Sequence, residues 1–141
     1  MALVTDIADA VVAELAGGEF SQSFTPERRV LPEFELPDLK DLQVTVVPRG
    51  VEIRAATRGM SWYDVQVDVA VQRKIADADE DVPALCGLVE EIADFLRGWR
   101  FVEEPSAVWV SIVNEPVYSP EHLAEKRLFT SVLTVTYRLM K

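Results

Sequence analysis

Two runs of the chain alternate between apolar and polar side chains, and this constrains the fold more than any other feature. The first run covers residues 63–71, and the second covers residues 129–139, close to the end of the sequence. Alternation with a period of two predicts a strand that buries one side and exposes the other. A small domain that ends in such a strand must pair it within a sheet or leave its edge for a neighbouring subunit.

Apolar residues at helical spacing predict two main helices. The first covers residues 4–15 and stops at Gly17-Gly18, and the second covers residues 82–97 and stops at Gly98. A short third helix is predicted from Ser119, a natural cap that is followed by a proline. This helix leads directly into the terminal strand.

The remaining strands are predicted from alternation and from the positions of proline and glycine. Residues 24–30 lie among prolines and are expected to form an edge strand, and residues 38–41 one helical turn. Residues 43–47 form a strand that Pro48 ends, and residues 51–58 pair with the first alternating run in a hairpin that turns at Gly59. Residues 108–112 continue the strand pattern.

This order of elements predicts an α+β fold in one domain, residues 1–141, with a single mostly antiparallel or mixed sheet and the two main helices packed on one face. With 49% hydrophobic residues, the chain can bury a substantial core. We expect the opposite face, which is rich in threonine, glutamine, aspartate and arginine, to meet water or another subunit.

The charge and the cysteine content exclude several classes of function. Fourteen basic and twenty-four acidic side chains give a formal net charge of −10, which repels phosphate backbones. The single cysteine, Cys86, excludes an intrachain disulfide framework and a multi-thiolate metal site. The first fifteen residues lack a basic leader and are too short for a membrane span, so we expect neither a signal peptide nor a membrane anchor.

No motif in the sequence indicates a catalytic, cofactor or metal site. Asp77, Asp79 and Asp81 have the spacing that opens a calcium loop, but Val82 replaces the required glycine and Leu88 occupies the position of the closing acid. We therefore expect these acids to cap the second helix. Glycine-rich phosphate-binding motifs are absent from the sequence.

Four residues have side chains that could act as reactive groups: His122, Cys86, Asp64 and Asp68. His122 has no nucleophile elbow to supply a serine, and Cys86 lies beside the apolar stripe of the second helix, where a thiol acts as a small hydrophobe. Asp64 and Asp68 share one strand face, but their backbones are about 13 Å apart, which is too far for a carboxylate dyad. We expect them to belong to a solvated sheet face.

Arginines are concentrated around the predicted hairpin of an otherwise acidic chain. Such segregation suits contacts in which a basic patch of one copy meets an acidic patch of the next, although ordinary solubilising charge explains it equally well. The candidate subunit-interface residues are therefore Arg49, Arg54, Arg58, Asp64 and Asp68.

Several segments occur in an order and spacing that extend over most of the chain. They are the opening helix, Arg28-Arg29-Val30-Leu31-Pro32, Leu36-Pro37-Asp38-Leu39, Val44-Thr45-Val46-Val47-Pro48, Tyr118-Ser119-Pro120, Phe129-Thr130-Ser131 and Val135-Thr136-Tyr137-Arg138. In these segments the chain resembles the tail terminator (tail completion) or neck proteins of long-tailed bacteriophages and prophages. The patterns are short and contain no catalytic residue.

The resemblance implies a non-enzymatic subunit without cofactors that forms a ring, commonly of six copies, on the end of the tail tube. Its partners would be its own copies, the tail tube protein and the head connector protein. DNA could pass through the ring without specific binding, and no membrane would be involved. The protein would be in the bacterial host cytoplasm during assembly and then in the virion tail or neck.

Two other interpretations stay open at the level of the sequence. One is a different structural role in the same virion, such as a head completion or minor capsid protein. The other is a small enzyme or ligand-binding domain that uses a cleft between helices and sheet, with Trp62, Tyr63 or Trp109 as its wall.

Overall fold

The computed structural model describes residues 3–29, 41–98 and 106–141. Its helices and strands are, in chain order, α1 (Leu3–Ala16), β1 (Pro26–Arg28), β2 (Gln43–Thr57), β3 (Met60–Lys74), α2 (Ala78–Leu96), β4 (Val108–Val113), α3 (Pro120–Lys126) and β5 (Leu128–Met140). Most of the predicted helical turn at residues 38–41, and Val30 of the predicted edge strand, lie outside the described residues.

The described strands form one mixed sheet with the order β1-β2-β3-β5-β4. β1 pairs with β2 in parallel, whereas the other neighbouring strands are antiparallel. The predicted α+β fold with a mostly antiparallel or mixed sheet is therefore confirmed. The terminal strand β5 is an interior strand, paired with β3 on one side and β4 on the other, so the alternative that it leaves its edge for another subunit is wrong.

The apolar faces of the strands and of the two main helices together form the core. The apolar positions of β3 and β5 that alternate with polar ones are buried, and they share one hydrophobic cluster with the apolar stripes of α1 and α2. α1 contacts β2 and β3, and α2 contacts β5. The packing of the two helices as one layer on one sheet face stays a prediction.

β2 differs from its prediction as two strands separated at Pro48 and Gly50. It is one strand of 15 residues, and its pairing with β3 shifts by one residue between Pro48 and Gly50. This shift is a β-bulge, which places one extra residue in a strand without ending it. A proline is tolerated there because the ladder of hydrogen bonds is already interrupted.

α2 begins at Ala78, four residues before its predicted start, because Asp77 caps it and Asp81 in its first turn accepts hydrogen bonds from the residues before it. The Asp77 carboxylate accepts a hydrogen bond from the Asp79 amide at 3.1 Å. The Asp81 carboxylate accepts from the amides of Ala76 and Asp77 at 2.9 and 3.1 Å, and these bonds lower the pKa of Asp81. The predicted capping role of the acid cluster is confirmed.

Replacing the cap should weaken α2. We expect Asp77→Ala to lower the free energy of unfolding by about 1 kcal/mol, because the side-chain acceptor for a helix amide is lost. Asp77→Asn keeps such an acceptor and should retain nearly all of the stability. Urea denaturation measures both variants, and equal losses in the two would contradict the capping role.

Candidate functional site

The distal part of the β2–β3 hairpin, residues 51–62, contains the exposed second half of β2, and we name it the hairpin arm. Residues 44–47 of β2 are buried, whereas residues 51–55 are all exposed. Val51 and Ile53 expose 41% and 58% of their surface. Gly59 closes the arm with φ +87°, a backbone conformation that side chains rarely adopt, so the predicted glycine turn is confirmed. The arm thus presents apolar side chains to its surroundings.

The structure brings four of the five candidate interface residues into pairs within one chain. Arg54 Nη2 lies 2.9 Å from Asp64 Oδ2, and Arg49 Nη1 lies 3.2 Å from Asp68 Oδ2. The fifth candidate, Arg58, lies in the hairpin turn and makes no ion pair within the described residues. Both carboxylates are thus already neutralised, while the guanidinium groups of Arg49 and Arg54 remain half exposed.

Arg138 is a partner of Asp64 that sequence reasoning missed. It lies opposite Asp64 in the β3–β5 register, and Arg138 Nε donates to Asp64 Oδ1 at 2.7 Å. The Asp64 side chain is only 13% exposed. Hydrogen bonds from Arg138 hold the pKa of Asp64 below its ordinary value, against the opposing effect of burial.

We expect Arg138→Gln to raise the pKa of Asp64 toward the ordinary value, about 3.9. Because the folded-state pKa is depressed, the ion pair stabilises the native protein above the unfolded-state pKa, and this stability is lost as the pH falls through the folded-state pKa. The variant should therefore lose less stability on acidification than the parent. A carboxyl NMR titration measures the pKa directly, with Arg58→Gln as the control that leaves it unchanged.

Edge strand β4 is the second part of the candidate site. It pairs with β5 alone among the described strands, and Val108 and Val113 expose 51% and 52% of their surface. Val110 lies between them at a register shift and is also exposed. Like the hairpin arm, β4 therefore combines exposed apolar side chains with a backbone edge that no other described strand covers.

Between α2 and β4 lies an open groove of about 450 Å³. Trp109 and Val110 line it from the strand, and Glu90, Asp94 and Arg97 line it from the helix. Within the described residues, the buried Trp109 Nε1 atom has no hydrogen-bond partner. We refer to this feature as the α2–β4 groove.

Of the three aromatic residues that were alternative candidates for a cleft wall, Trp109 is the one that lines the α2–β4 groove. Trp62 and Tyr63 lie near the start of β3 and, as neighbours in a strand, point to opposite faces of the sheet. Arg138 Cζ lies 5.6 Å from the centre of the Trp62 ring, and Lys141 Nζ lies 5.0 Å from that of Tyr63.

His122 and Cys86 occupy structural environments. His122 Nδ1 is 2.9 Å from the Thr130 hydroxyl, and its backbone amide donates to Ser119 Oγ at 3.4 Å, which confirms Ser119 as the cap of α3. Cys86 packs partly against the core, and burial raises the pKa of its thiol. Within the described ranges, no group of three or more histidine, cysteine or acidic residues could hold a metal ion.

No protein-family model matches the chain, and no curated protein matches it. Over the described residues, every helix falls short of the length and apolarity that a membrane crossing requires. The candidate site is therefore defined by its geometry: the hairpin arm and β4, which are exposed edges at the two sides of one sheet.

Proposed function

We propose that this chain is a non-enzymatic structural subunit of a phage or prophage particle, which forms a ring at the tail end or the head–tail junction. The ring would terminate the tail tube and mediate its joining to the head. The observation that carries this proposal is the presence of exposed apolar side chains on two different edges of one sheet, Val51 and Ile53 on the hairpin arm and Val108, Val110 and Val113 on β4.

Two different edges suit a ring because each subunit of a cyclic assembly must offer two distinct, complementary surfaces. Exposed sheet edges with apolar side chains are otherwise a liability, since they template unwanted pairing. Proteins that keep such edges usually cover them. A neighbouring copy on each side would cover both.

The net charge of −10 also fits the proposed location. An acidic ring would let DNA pass through its lumen without holding the phosphate backbone. The proposed partners are copies of this chain, the tail tube protein and the head connector protein. Assembly would take place in the bacterial host cytoplasm, and the product would be part of the virion tail or neck.

Native mass spectrometry of the isolated protein tests the proposal. We expect a closed oligomer, commonly of six copies of the 15.8 kDa chain. The measurement should be repeated with light scattering from micromolar to millimolar concentration, with and without tail tube protein. A monomer under all of these conditions would contradict the proposal.

A second candidate function is the binding of a small apolar ligand in the α2–β4 groove. The aromatic wall that Trp109 gives the groove favours this function, because ligand sites are lined mainly by apolar and aromatic side chains. A thermal-shift panel of small metabolites tests it. Saturable stabilisation that Trp109→Phe weakens would support a ligand site, and a flat panel would contradict it.

A further inference from the structure

We propose that the hairpin arm of one copy pairs along β4 of the next copy and covers the rim of its α2–β4 groove. This inference rests on the proposed ring and specifies the contact that forms it. The occupant of each exposed edge is a second copy of this chain. The two contacting surfaces are the hairpin arm, residues 51–62, and strand β4 with the facing side chains of α2.

The backbone edges are suited to each other. One edge of β2 pairs with β3. On its other edge, the described residues that pair with it belong to β1, which reaches only the first third of β2. Among the described strands, β4 pairs with β5 alone. The six residues of β4 extend about 20 Å, which the exposed part of β2 can match. Each edge therefore offers, over a similar length, backbone donors and acceptors that pair with no other described strand.

The strand directions are also compatible. β2 is antiparallel to β3, β3 to β5 and β5 to β4, so β2 and β4 run in opposite directions within one copy. A neighbour that is related by rotation about an axis along the strands would place its β2 antiparallel to this β4. Sheet hydrogen bonding would then continue from copy to copy, as it does across any antiparallel pair.

The exposed apolar side chains lie on the same two edges. Val51 and Ile53 on the arm, and Val108, Val110 and Val113 on β4, are among the most exposed large apolar residues of the described chain. Strand pairing between copies would bury them together. Cross-strand contacts between β-branched side chains are the usual source of stability in such pairs.

Charge favours this pairing over the pairing of two like edges. The arm carries Arg54 and Arg58 beside Glu52, and of Arg49, Arg54 and Arg58 only Arg58 has no ion pair within the described residues, whereas α2 presents Glu90 and Asp94 beside β4. Neither acid forms an ion pair within the described part of the chain. Two arms would bring arginines together, while an arm on the α2–β4 groove brings opposite charges together.

Disulfide trapping tests the contact directly. One batch of protein carries Ile53→Cys and a second, mass-labelled batch carries a cysteine at Val108, Val110 or Val113, all in a Cys86→Ala background. After mixing under mild oxidation, we expect labelled–unlabelled dimers for at least one β4 position. Ala13→Cys, on the exposed side of α1, is the matched control and should form few such dimers.

A charge and polarity test complements the trapping. Ile53→Asp should weaken self-association about tenfold or more, because it places an unpaired charge in the buried centre of the contact. Ala13→Asp, at an exposed site on α1, should not weaken it. Arg58→Glu should weaken association as well, and mixing it with an Asp94→Arg copy should restore mixed dimers. Circular dichroism checks that every variant is folded.

The outcomes distinguish failure of the arm–β4 contact from failure of the proposed ring. A native oligomer that forms no arm–β4 disulfide and tolerates Ile53→Asp would overturn the contact and leave the ring standing. A protein that is never larger than a dimer but still forms the disulfide would overturn the ring and retain the contact. A monomer without trapping at any β4 position would overturn both.

Discussion

Phe129→Ala should lower the free energy of unfolding by about 3–5 kcal/mol, the largest effect that we expect from a single truncation here. Phe129 is fully buried at the start of β5, and its ring centre lies 6.0 Å from that of Tyr118. Truncation removes the apolar contacts and leaves a cavity between the sheet and the segment before α3. Urea denaturation measures the loss, and the melting temperature should fall by roughly 10 °C or more.

Two controls define the cause of that loss. Phe129→Leu fills much of the cavity and should recover a large part of the stability. Val113→Ala changes an exposed position on β4 and should alter the stability by no more than about 0.5 kcal/mol. A small effect of Phe129→Ala, similar to that of Val113→Ala, would show that the start of β5 is not part of the core.

Leu88→Ala should cost about 2–5 kcal/mol, the second-largest effect. Leu88 is fully buried on α2, in the same hydrophobic cluster as Val135 and Leu133 of β5. Its loss would weaken the packing of the helix on the sheet. Thermal and urea unfolding both measure the change, and an unfolding free energy within 1 kcal/mol of the parent would contradict this placement of α2.

Cys86→Ala is the matched control on the same helix. The thiol is only partly buried, and it acts in the structure as a small apolar side chain. We therefore expect a loss below about 1 kcal/mol. This result would also validate the cysteine-free background of the trapping experiment, whereas a loss equal to that of Leu88→Ala would assign Cys86 to the core.

Element types and faces were predictable because they depend on local periodicity. Val65, Val67 and Val69 are buried while Asp64, Gln66 and Asp68 face the other way, as a period of two requires. Gly59 and Ser119 mark the hairpin turn and the start of α3 in the sequence as they do in the structure. A turn or a cap needs only the residues next to it, so these features were visible without a fold.

Two predicted boundaries were wrong, the end of a strand at Pro48 and the start of α2. In both cases a local structural feature outweighed the usual preference of a residue type. Pro48 normally ends a strand, but a bulge next to it lets β2 continue to Thr57. The start of α2 depends on Asp77 and Asp81 accepting backbone hydrogen bonds, and the apolar stripe begins only later. Propensity is a weak guide where a specific hydrogen bond or a tertiary contact decides.

The candidate site, too, was only partly predictable from the sequence. The sequence indicated an arginine-rich hairpin and selected Arg49, Arg54 and Arg58, but it did not show that Arg138 would lie opposite Asp64. Nor did it show that Val51 and Ile53 of the arm are exposed or that β4 forms an edge of the described sheet.

By itself, the sequence determined which segments are helices and strands and which side of each is apolar, because both are properties of neighbouring residues along the chain. Only the tertiary structure decided strand order, register and exposure, because these depend on which distant segments pair and on how far the helices extend over the sheet. The same alternation that buries Val67 leaves Ile53 exposed at 58%. The difference comes from what packs against each strand, and no local pattern encodes it.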